Sequence, residues 1–159
     1  MRIINTGGTF NKRYDPIRGE LFVPKDNAAV EAILGSLAVD ISLQGVIYKD
    51  SLEMDNHDRS LLAQTIMHAD EKTIIVIHGT DTMDLSATYV DSLGLDKVVV
   101  FTGAMIPFGI DPIEATANMA MAMGYAQHAP VGVHIVIQGV MSSFKQVKKN
   151  KIAGKFEYV

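Results

Sequence analysis

The sequence predicts a three-layer α/β domain in which helices cover both faces of a doubly wound, mostly parallel sheet, as in flavodoxin-like or Rossmann-like folds. Segments with strand character and segments with helix character alternate about five times along the 159 residues, a pattern typical of parallel sheets with crossover helices. Runs such as Ile74-Ile75-Val76-Ile77 are continuously apolar, as expected of strands that are buried on both faces. Because the length fits one domain, we expect residues 1–159 to form a single domain.

Five strands are predicted from short runs rich in β-branched residues. The first is cut short by glycines, and the second alternates between apolar and polar positions. The third and fourth are continuous apolar runs, and the fifth begins at a glycine. The predicted ranges are 3–5, 41–48, 73–77, 97–101 and 132–137.

Four helices are predicted between these strands. Asn27 is a good N-cap for the first helix, which should end near Gly35. Gly94 is of the type that follows a helix C-terminus, and Asp111-Pro112 places a capping residue before a proline at the first position of the fourth helix. The predicted ranges are 28–35, 59–69, 83–93 and 112–127.

Two segments receive no predicted helix or strand. Residues 6–26 form a polar loop that is rich in glycine and proline. Because loops of about 20 residues are uncommon in compact domains unless they are functional, we expect this one to act as a lid. The basic segment Lys145 to Lys155 is assigned no element.

Composition excludes several classes of function. The net charge is −4, whereas a nucleic-acid-binding protein usually presents a basic face, so we expect no nucleic-acid partner. The chain has no cysteine, which excludes disulfides, thiolate catalysis and cysteine-ligated metals. The histidines lack the spacing of metal ligands, and no apolar run is long enough to cross a bilayer. We therefore expect a cytoplasmic protein with no metal, no cofactor and no membrane association.

Two threonine-glycine motifs follow predicted strands and are the most informative feature of the chain. They are Thr6-Gly7-Gly8-Thr9 and His78-Gly79-Thr80-Asp81-Thr82. The carboxyl ends of parallel strands open into the crevice where α/β sheets bind ligands, and glycines allow the backbone to turn sharply there. Thr6 is either the capping residue of a glycine turn or a nucleophile, and a threonine nucleophile needs a nearby base.

Further candidate residues surround these motifs, each with a plain structural alternative. One of Thr80 and Asp81 can face the ligand while the other accepts from a cation, although Asp81 can also cap the following helix. Ser51 can bind a carboxylate or belong to an ordinary polar loop. Lys148 or Lys149 can be drawn into a dry site and act as a base, or can remain solvated. His78 is more typical of a packed, hydrogen-bonded histidine than of a ligand.

Taken together, four motifs resemble the N-terminal domain of the bacterial-type L-asparaginase/glutaminase family in order and spacing. The resemblance extends from Ile3 to about Lys149. The motifs are Thr6-Gly7-Gly8-Thr9, Ser51-Leu52-Glu53-Met54, His78-Gly79-Thr80-Asp81-Thr82-Met83 and Thr102-Gly103-Ala104-Met105.

The resemblance implies hydrolysis of the side-chain amide of L-asparagine, and in many members L-glutamine, to the acid and ammonia, without metal or cofactor. Thr6 matches the threonine nucleophile that forms an acyl-enzyme. Thr80, Asp81 and Lys149 match a second triad in which a neutral lysine activates threonine or water. Tyr14 is the candidate for the tyrosine that partners the first threonine.

The resemblance also implies a set of residues that bind the substrate, a small amino-acid amide. Ser51 matches the residue that holds the α-carboxylate, and Asp81 also matches the anchor of the α-amino group. Ala104 matches a position whose carbonyl contacts the substrate amide. Gly79 and Glu53 belong to the same substrate-binding motifs.

One departure from the family pattern is large. Family members carry a C-terminal domain that closes the site and contributes a glutamate that orients the tyrosine, and residues 1–159 lack it. Glu20 and Glu53 are the candidates to replace that glutamate. We expect a homo-oligomer to cover the open site. The alternatives are a non-catalytic domain that binds aspartate or asparagine as a regulatory or interaction module, and an amidase for another amide.

Overall fold

The computed structural model describes all 159 residues. Its centre is a six-stranded sheet with the order β4-β1-β5-β6-β7-β8, in which the last strand is antiparallel and the others are parallel. Two hairpins, β2–β3 and β9–β10, lie outside this sheet. The strands are β1 (Arg2–Gly7), β2 (Arg13–Asp15), β3 (Glu20–Phe22), β4 (Ser42–Lys49), β5 (Thr73–Ile77), β6 (Val98–Thr102), β7 (Gly132–Ile137), β8 (Val140–Ser143), β9 (Val147–Asn150) and β10 (Lys155–Tyr158).

Four helices cover the two faces of the sheet. They are α1 (Ala28–Leu34), α2 (Asn56–His68), α3 (Met83–Asp91) and α4 (Pro112–Ala126). Alternate residues of β5 supply two separate cores, because successive side chains of a strand point to opposite faces. Ile74 and Val76 pack with α2 and α3, whereas Ile75 and Ile77 pack with α1 and α4. The predicted doubly wound, three-layer α/β architecture is confirmed.

All five predicted strands and all four predicted helices are present, with ends that differ by a few residues. Helix α2 begins earlier than predicted because Asp55 and Asp58 form a reciprocal capping box. None of the four helices combines the length and the hydrophobicity that crossing a bilayer requires.

Two predictions about irregular segments are wrong. The loop 6–26 contains the hairpin β2–β3, whose turn is held by Asp15 accepting from the N–H groups of Ile17 and Arg18. The strand 132–137 is not the last, because β8 and the hairpin β9–β10 follow it. This second hairpin contains most of the basic segment 145–155, whose charge pattern masked its strand character.

Strand order reverses between β1 and β5, since the chain crosses to β4 on one side and to β6 on the other. Such a reversal separates the loops that leave neighbouring strands and opens a crevice at their carboxyl ends. Both threonine-glycine motifs lie at this point, at the carboxyl ends of β1 and β5.

Candidate active site

Three loops meet without intervening side chains at the carboxyl end of the sheet. A Cβ atom added to Gly8 would lie 2.5 Å from the backbone of Gly79, and one added to Gly79 would lie 2.6 Å from the Ser51 side chain. Any residue with a Cβ would force these loops apart. The glycines therefore set the spacing between the β1 loop, the β5 loop and the turn that carries Ser51.

A lysine, a threonine and an aspartate converge beside this contact. The Nζ atom of Lys149 donates to Thr80 Oγ1 at 2.8 Å and to Asp81 Oδ1 at 2.8 Å. The Lys149 side chain is only 12% exposed, so water screens its charge weakly. A cavity of about 110 Å³ lies against the three side chains.

The second hairpin positions Lys149 from outside the main sheet. Lys149 lies opposite Phe156 in the β9–β10 ladder, and the Phe156 ring is buried. The Phe156 N–H donates to Gln138 Oε1 in the turn between β7 and β8. Lys148 also borders this cavity, but its side chain is 56% exposed, lies 3.8 Å from Glu157 and makes no hydrogen bond to Thr80 or Asp81. The structure thus distinguishes the two lysines, and Lys149, which the resemblance favoured, is the one that contacts Thr80 and Asp81.

Ser51 is buried at the start of a short 3₁₀ turn, Ser51–Glu53, and is tied to the β5 loop twice. Its Oγ accepts from the N–H of Asp81 at 3.2 Å, and its carbonyl accepts from Thr82 Oγ1 at 2.8 Å. Asp50 caps the same turn by accepting from the N–H of Leu52. The Ser51 turn and the Thr80–Asp81 loop therefore form one hydrogen-bonded unit.

The Asp50 carboxylate also joins this turn to the β1 loop through an ion pair with Lys12. Burial acts to raise the pKa of Asp50, but the hydrogen bonds from Lys12 and Leu52 and the charges of Lys12 and Lys149 outweigh it, so the pKa lies below its ordinary value. A charged carboxylate therefore lies close to the lysine cluster, and sequence reasoning missed it because Asp50 looked like an ordinary loop residue.

The two threonines of the first motif occupy different environments. Thr6 is fully buried in β1, and its Oγ1 donates to the carbonyl of Ile77 at 2.8 Å. Thr9 is partly exposed and begins the 3₁₀ turn Thr9–Asn11, and its hydroxyl makes no hydrogen bond within the chain. The hydroxyl of Thr6 thus faces the protein interior, whereas the hydroxyl of Thr9 has no partner within the chain.

A buried cluster of amide side chains fixes the β1 loop. Asn5 and Asn11 exchange two hydrogen bonds, and Asn5 also donates to Asn27. Asn11 donates to the carbonyl of Gly7, whose N–H donates to Asn5. Asn27 precedes α1 as predicted, but its side chain joins this cluster and does not cap the helix.

His78 is fully buried and supports the β5 loop from below, as the sequence indicated. Its Nδ1 lies 2.7 Å from the carbonyl of Gly79, and its Nε2 lies 2.8 Å from Ser86 Oγ. Burial lowers the pKa of His78 to about 4, although the hydrogen bond to Gly79 acts in the opposite direction. A neutral imidazole that donates through Nδ1 orients the Gly79 peptide.

Ala104 is buried in the loop that follows β6, and this loop is anchored by α4. The N–H groups of Met105 and Ile106 donate to the Glu114 carboxylate, and Asn118 donates to the carbonyl of Gly103. Thr80 Oγ1 lies 3.4 Å from the Met105 sulfur. The Ala104 loop therefore reaches the same crevice as Thr80.

Three predicted site residues have exposed side chains that make no hydrogen bond to Thr6, Thr80 or Lys149. Tyr14 lies on the β2–β3 hairpin with its side chain exposed, and it makes no hydrogen bond to Thr6 or Thr9. Glu20 and Glu53 are exposed as well. No three histidine, aspartate or glutamate side chains come together as metal ligands.

Comparison with known proteins identifies the family and agrees with the fold. The family model described as the N-terminal domain of asparaginase matches residues 1–154. The thermostable L-asparaginase from Thermococcus kodakarensis superposes with a TM-score of 0.84 at 20% identity, covering 99% of this chain and 50% of that one. L-asparaginase I from Vibrio cholerae superposes with a TM-score of 0.79 at 22% identity, covering 99% and 50%.

A curated relative belongs to a different enzyme. It is one component of the glutamyl-tRNA(Gln) amidotransferase from Pyrobaculum aerophilum, and it is 24% identical over 140 residues, which span 85% of this chain and 34% of that protein. The chain thus spans about half the length of the solved structures that it matches and a third of this relative.

Proposed function

Because this chain belongs to the asparaginase family, we propose that it is an amidohydrolase that converts the side-chain amide of L-asparagine to the acid and ammonia. The observation that carries the proposal is the contact of Lys149 with both Thr80 and Asp81. A lysine held between a hydroxyl and a carboxylate can move a proton to or from the hydroxyl, which is the task of a general base in amide hydrolysis.

We assign the nucleophile to Thr9 and not to Thr6. Attack on an amide carbonyl needs a hydroxyl that reaches the ligand and a base that takes its proton. The Thr6 hydroxyl is already used by the Ile77 carbonyl, whereas the Thr9 hydroxyl is free and its loop touches Gly79. In this scheme Thr9 forms an ester with the substrate acyl group, ammonia leaves, and water then releases the acid.

The second triad acts on both steps. Lys149 and Asp81 poise Thr80, which activates Thr9 or the incoming water. Backbone N–H groups of the touching β1 and β5 loops lie on rigid, buried segments, and such pre-oriented donors stabilise the developing oxyanion.

We assign substrate binding to the hydrogen-bonded unit formed by the Ser51 turn and the Thr80–Asp81 loop. In our proposal Ser51 holds the α-carboxylate and Asp81 holds the α-amino group, which fixes an amino acid at two points about the Cα atom. The Ala104 carbonyl contacts the substrate amide, and Gly79 lets the ligand approach the backbone. We assign no contact to Glu53, whose side chain is exposed.

A second candidate function is a non-catalytic module that binds aspartate or asparagine. It is favoured by the exposure of the Tyr14 side chain, which leaves the candidate site without a closing residue on that hairpin. A site open to water retains its binding groups but provides a weaker electrostatic environment for the transition state. Assembly into a homo-oligomer would cover the site, and light scattering on the purified protein measures this directly.

The test is ammonia release from L-asparagine, with L-glutamine and D-asparagine in parallel, by the wild type and by Thr80→Ala. Release from L-asparagine that disappears in the variant supports the amidohydrolase. Saturable binding of L-aspartate by calorimetry, with no ammonia from any substrate, would select the binding module. If Thr80→Ala released ammonia at the wild-type rate, this result would contradict both the triad and the chemistry assigned to it.

A further inference from the structure

Arg59 of helix α2 is a buried cation without an acidic partner. The residue is 8% exposed and forms no salt bridge. Its guanidinium donates only to two neutral acceptors, the carbonyl of Met54 at 3.1 Å and the hydroxyl of Thr82 at 3.4 Å. Its Nε atom is buried and has no hydrogen-bond partner.

Burying the Arg59 charge in this way costs folding free energy unless a group outside the chain compensates the charge. A guanidinium carries five N–H donors, and buried charges in proteins are normally paired or fully hydrogen-bonded. The cations around the crevice follow that rule, since Lys12 pairs with Asp50 and Lys149 with Asp81. Arg59, in contrast, has no carboxylate of the chain within ion-pair distance, and its Nε has no hydrogen-bond partner.

The residue lines a groove of about 340 Å³ between α2 and α3. The other lining residues are uncharged: Asn56 on α2, and Leu85, Thr88, Tyr89 and Ser92 on or just after α3. The amide of Asn56 and the phenol of Tyr89 make no hydrogen bonds within the chain. The groove therefore combines one cation with neutral donors, and no carboxylate lines it.

We propose that this groove binds a small oxyanion, a phosphate or a carboxylate, with Arg59 supplying the charge. Guanidinium groups pair with both classes through parallel N–H···O bonds. Leu85 and Tyr89 provide apolar surface for the body of the ligand. The site is separate from the Lys149 cluster, and its ligand binding does not depend on the proposed amidohydrolase activity.

Calorimetric titration of the purified protein tests this site, with inorganic phosphate in one arm and acetate in the other at constant ionic strength. We expect saturable 1:1 binding in at least one arm, and the stronger arm identifies the source of the oxyanion. Arg59→Met should weaken binding at least tenfold. Because Arg59 also supports Met54 and Thr82, this variant alone can be compromised by misfolding.

Thr88→Glu provides the decisive second variant, since Thr88 is exposed on α3 and its hydroxyl donates only to the carbonyl of Asp84 one turn earlier. It places a carboxylate in the groove, so it should abolish anion binding and raise the melting temperature by pairing with Arg59. Thr65→Glu is the matched control, because it makes the same charge change on α2 outside the groove. Absence of binding in both arms, or binding by Thr88→Glu as tight as the wild type, would overturn the proposal.

Discussion

The Lys149 cluster (Lys149, Thr80 and Asp81) and the Tyr14 hairpin (β2–β3) differ in how firmly the rest of the chain holds their side chains. Lys149, Thr80 and Asp81 are held by hydrogen bonds that join three loops of the sheet to the hairpin β9–β10. The β2–β3 hairpin is held by its own turn and by the pairing of Arg13 with Asp26. The Tyr14 side chain is 59% exposed.

This difference indicates which parts of the chemistry the sheet can support by itself. Groups fixed by buried backbone stay in place without a ligand, and such pre-organisation lowers the barrier of the chemical step. A residue on an exposed hairpin must be ordered by a ligand or by another surface first. The chain therefore carries a lysine cluster fixed by buried contacts and a tyrosine that is exposed on a hairpin.

The largest expected effect compares the two threonines of the first motif. Thr9→Ala should lower kcat for L-asparagine by about 10⁶-fold, the scale seen when a nucleophile is removed. Thr6→Val should keep kcat within about tenfold, because its hydroxyl serves only the Ile77 carbonyl. That variant should instead lose about 1–3 kcal/mol of unfolding free energy, since a buried acceptor loses its donor.

Steady-state ammonia release and urea denaturation separate the two outcomes. If Thr6→Val abolished turnover in a fully folded protein while Thr9→Ala retained it, the nucleophile assignment would be reversed.

The next largest effect is the pH dependence of the unfolding free energy that His78 produces. This residue supports the β5 loop, which carries Thr80 and Asp81. The pKa of His78 is about 4 in the folded protein and 6.5 ordinarily, so between these values the unfolded chain binds more protons than the folded one. Stability is fully present above about pH 6.5 and falls as pH decreases towards 4. Titration of His78 alone should lower the unfolding free energy by about 2 kcal/mol between pH 7 and pH 5.

Unfolding free energies of the wild type and His78→Gln at the two pH values measure this contribution. The variant should lose the His78 part of the pH slope, whereas His128→Gln, at an exposed position, should keep it. Identical slopes in all three proteins would show that His78 is not held neutral by burial.

The smallest effects are expected for substitutions of Tyr14 on the exposed β2–β3 hairpin. Tyr14→Ala should change the unfolding free energy by less than about 0.5 kcal/mol, as is usual for exposed positions. On this chain Tyr14→Phe should also change kcat by less than about tenfold, because the phenol makes no hydrogen bond to Thr6 or Thr9. A larger loss in either measurement would mean that the hairpin closes over the site in solution.

The fold could be predicted from the sequence because it is encoded by local patterns, whereas the roles of the site residues stay predictions. Apolar β-branched runs gave the five parallel strands, and the glycine motifs placed Thr80 and Asp81 at the crevice. What it missed depends on tertiary contacts. The direction of the Thr6 hydroxyl and the Asp50–Lys12 pair follow from which strands and turns meet in three dimensions.

The predictions for the irregular segments 6–26 and 145–155 were wrong for the same reason. Short hairpins such as β2–β3 and β9–β10 have few residues per strand, so their alternation is too brief to be seen against charged or glycine-rich surroundings. The pairing of β9 with β10 is fixed by contacts with the sheet, as with the buried ring of Phe156.

The most direct test of the central claim is ammonia release from L-asparagine by Lys149→Met beside its neighbour Lys148→Met. Both variants remove one positive charge, but only Lys149 touches Thr80 and Asp81. The account predicts a loss of about 10²–10⁴-fold in kcat for Lys149→Met and wild-type turnover for Lys148→Met. Equal turnover in the two variants would contradict the claim that the assembled cluster performs the chemistry.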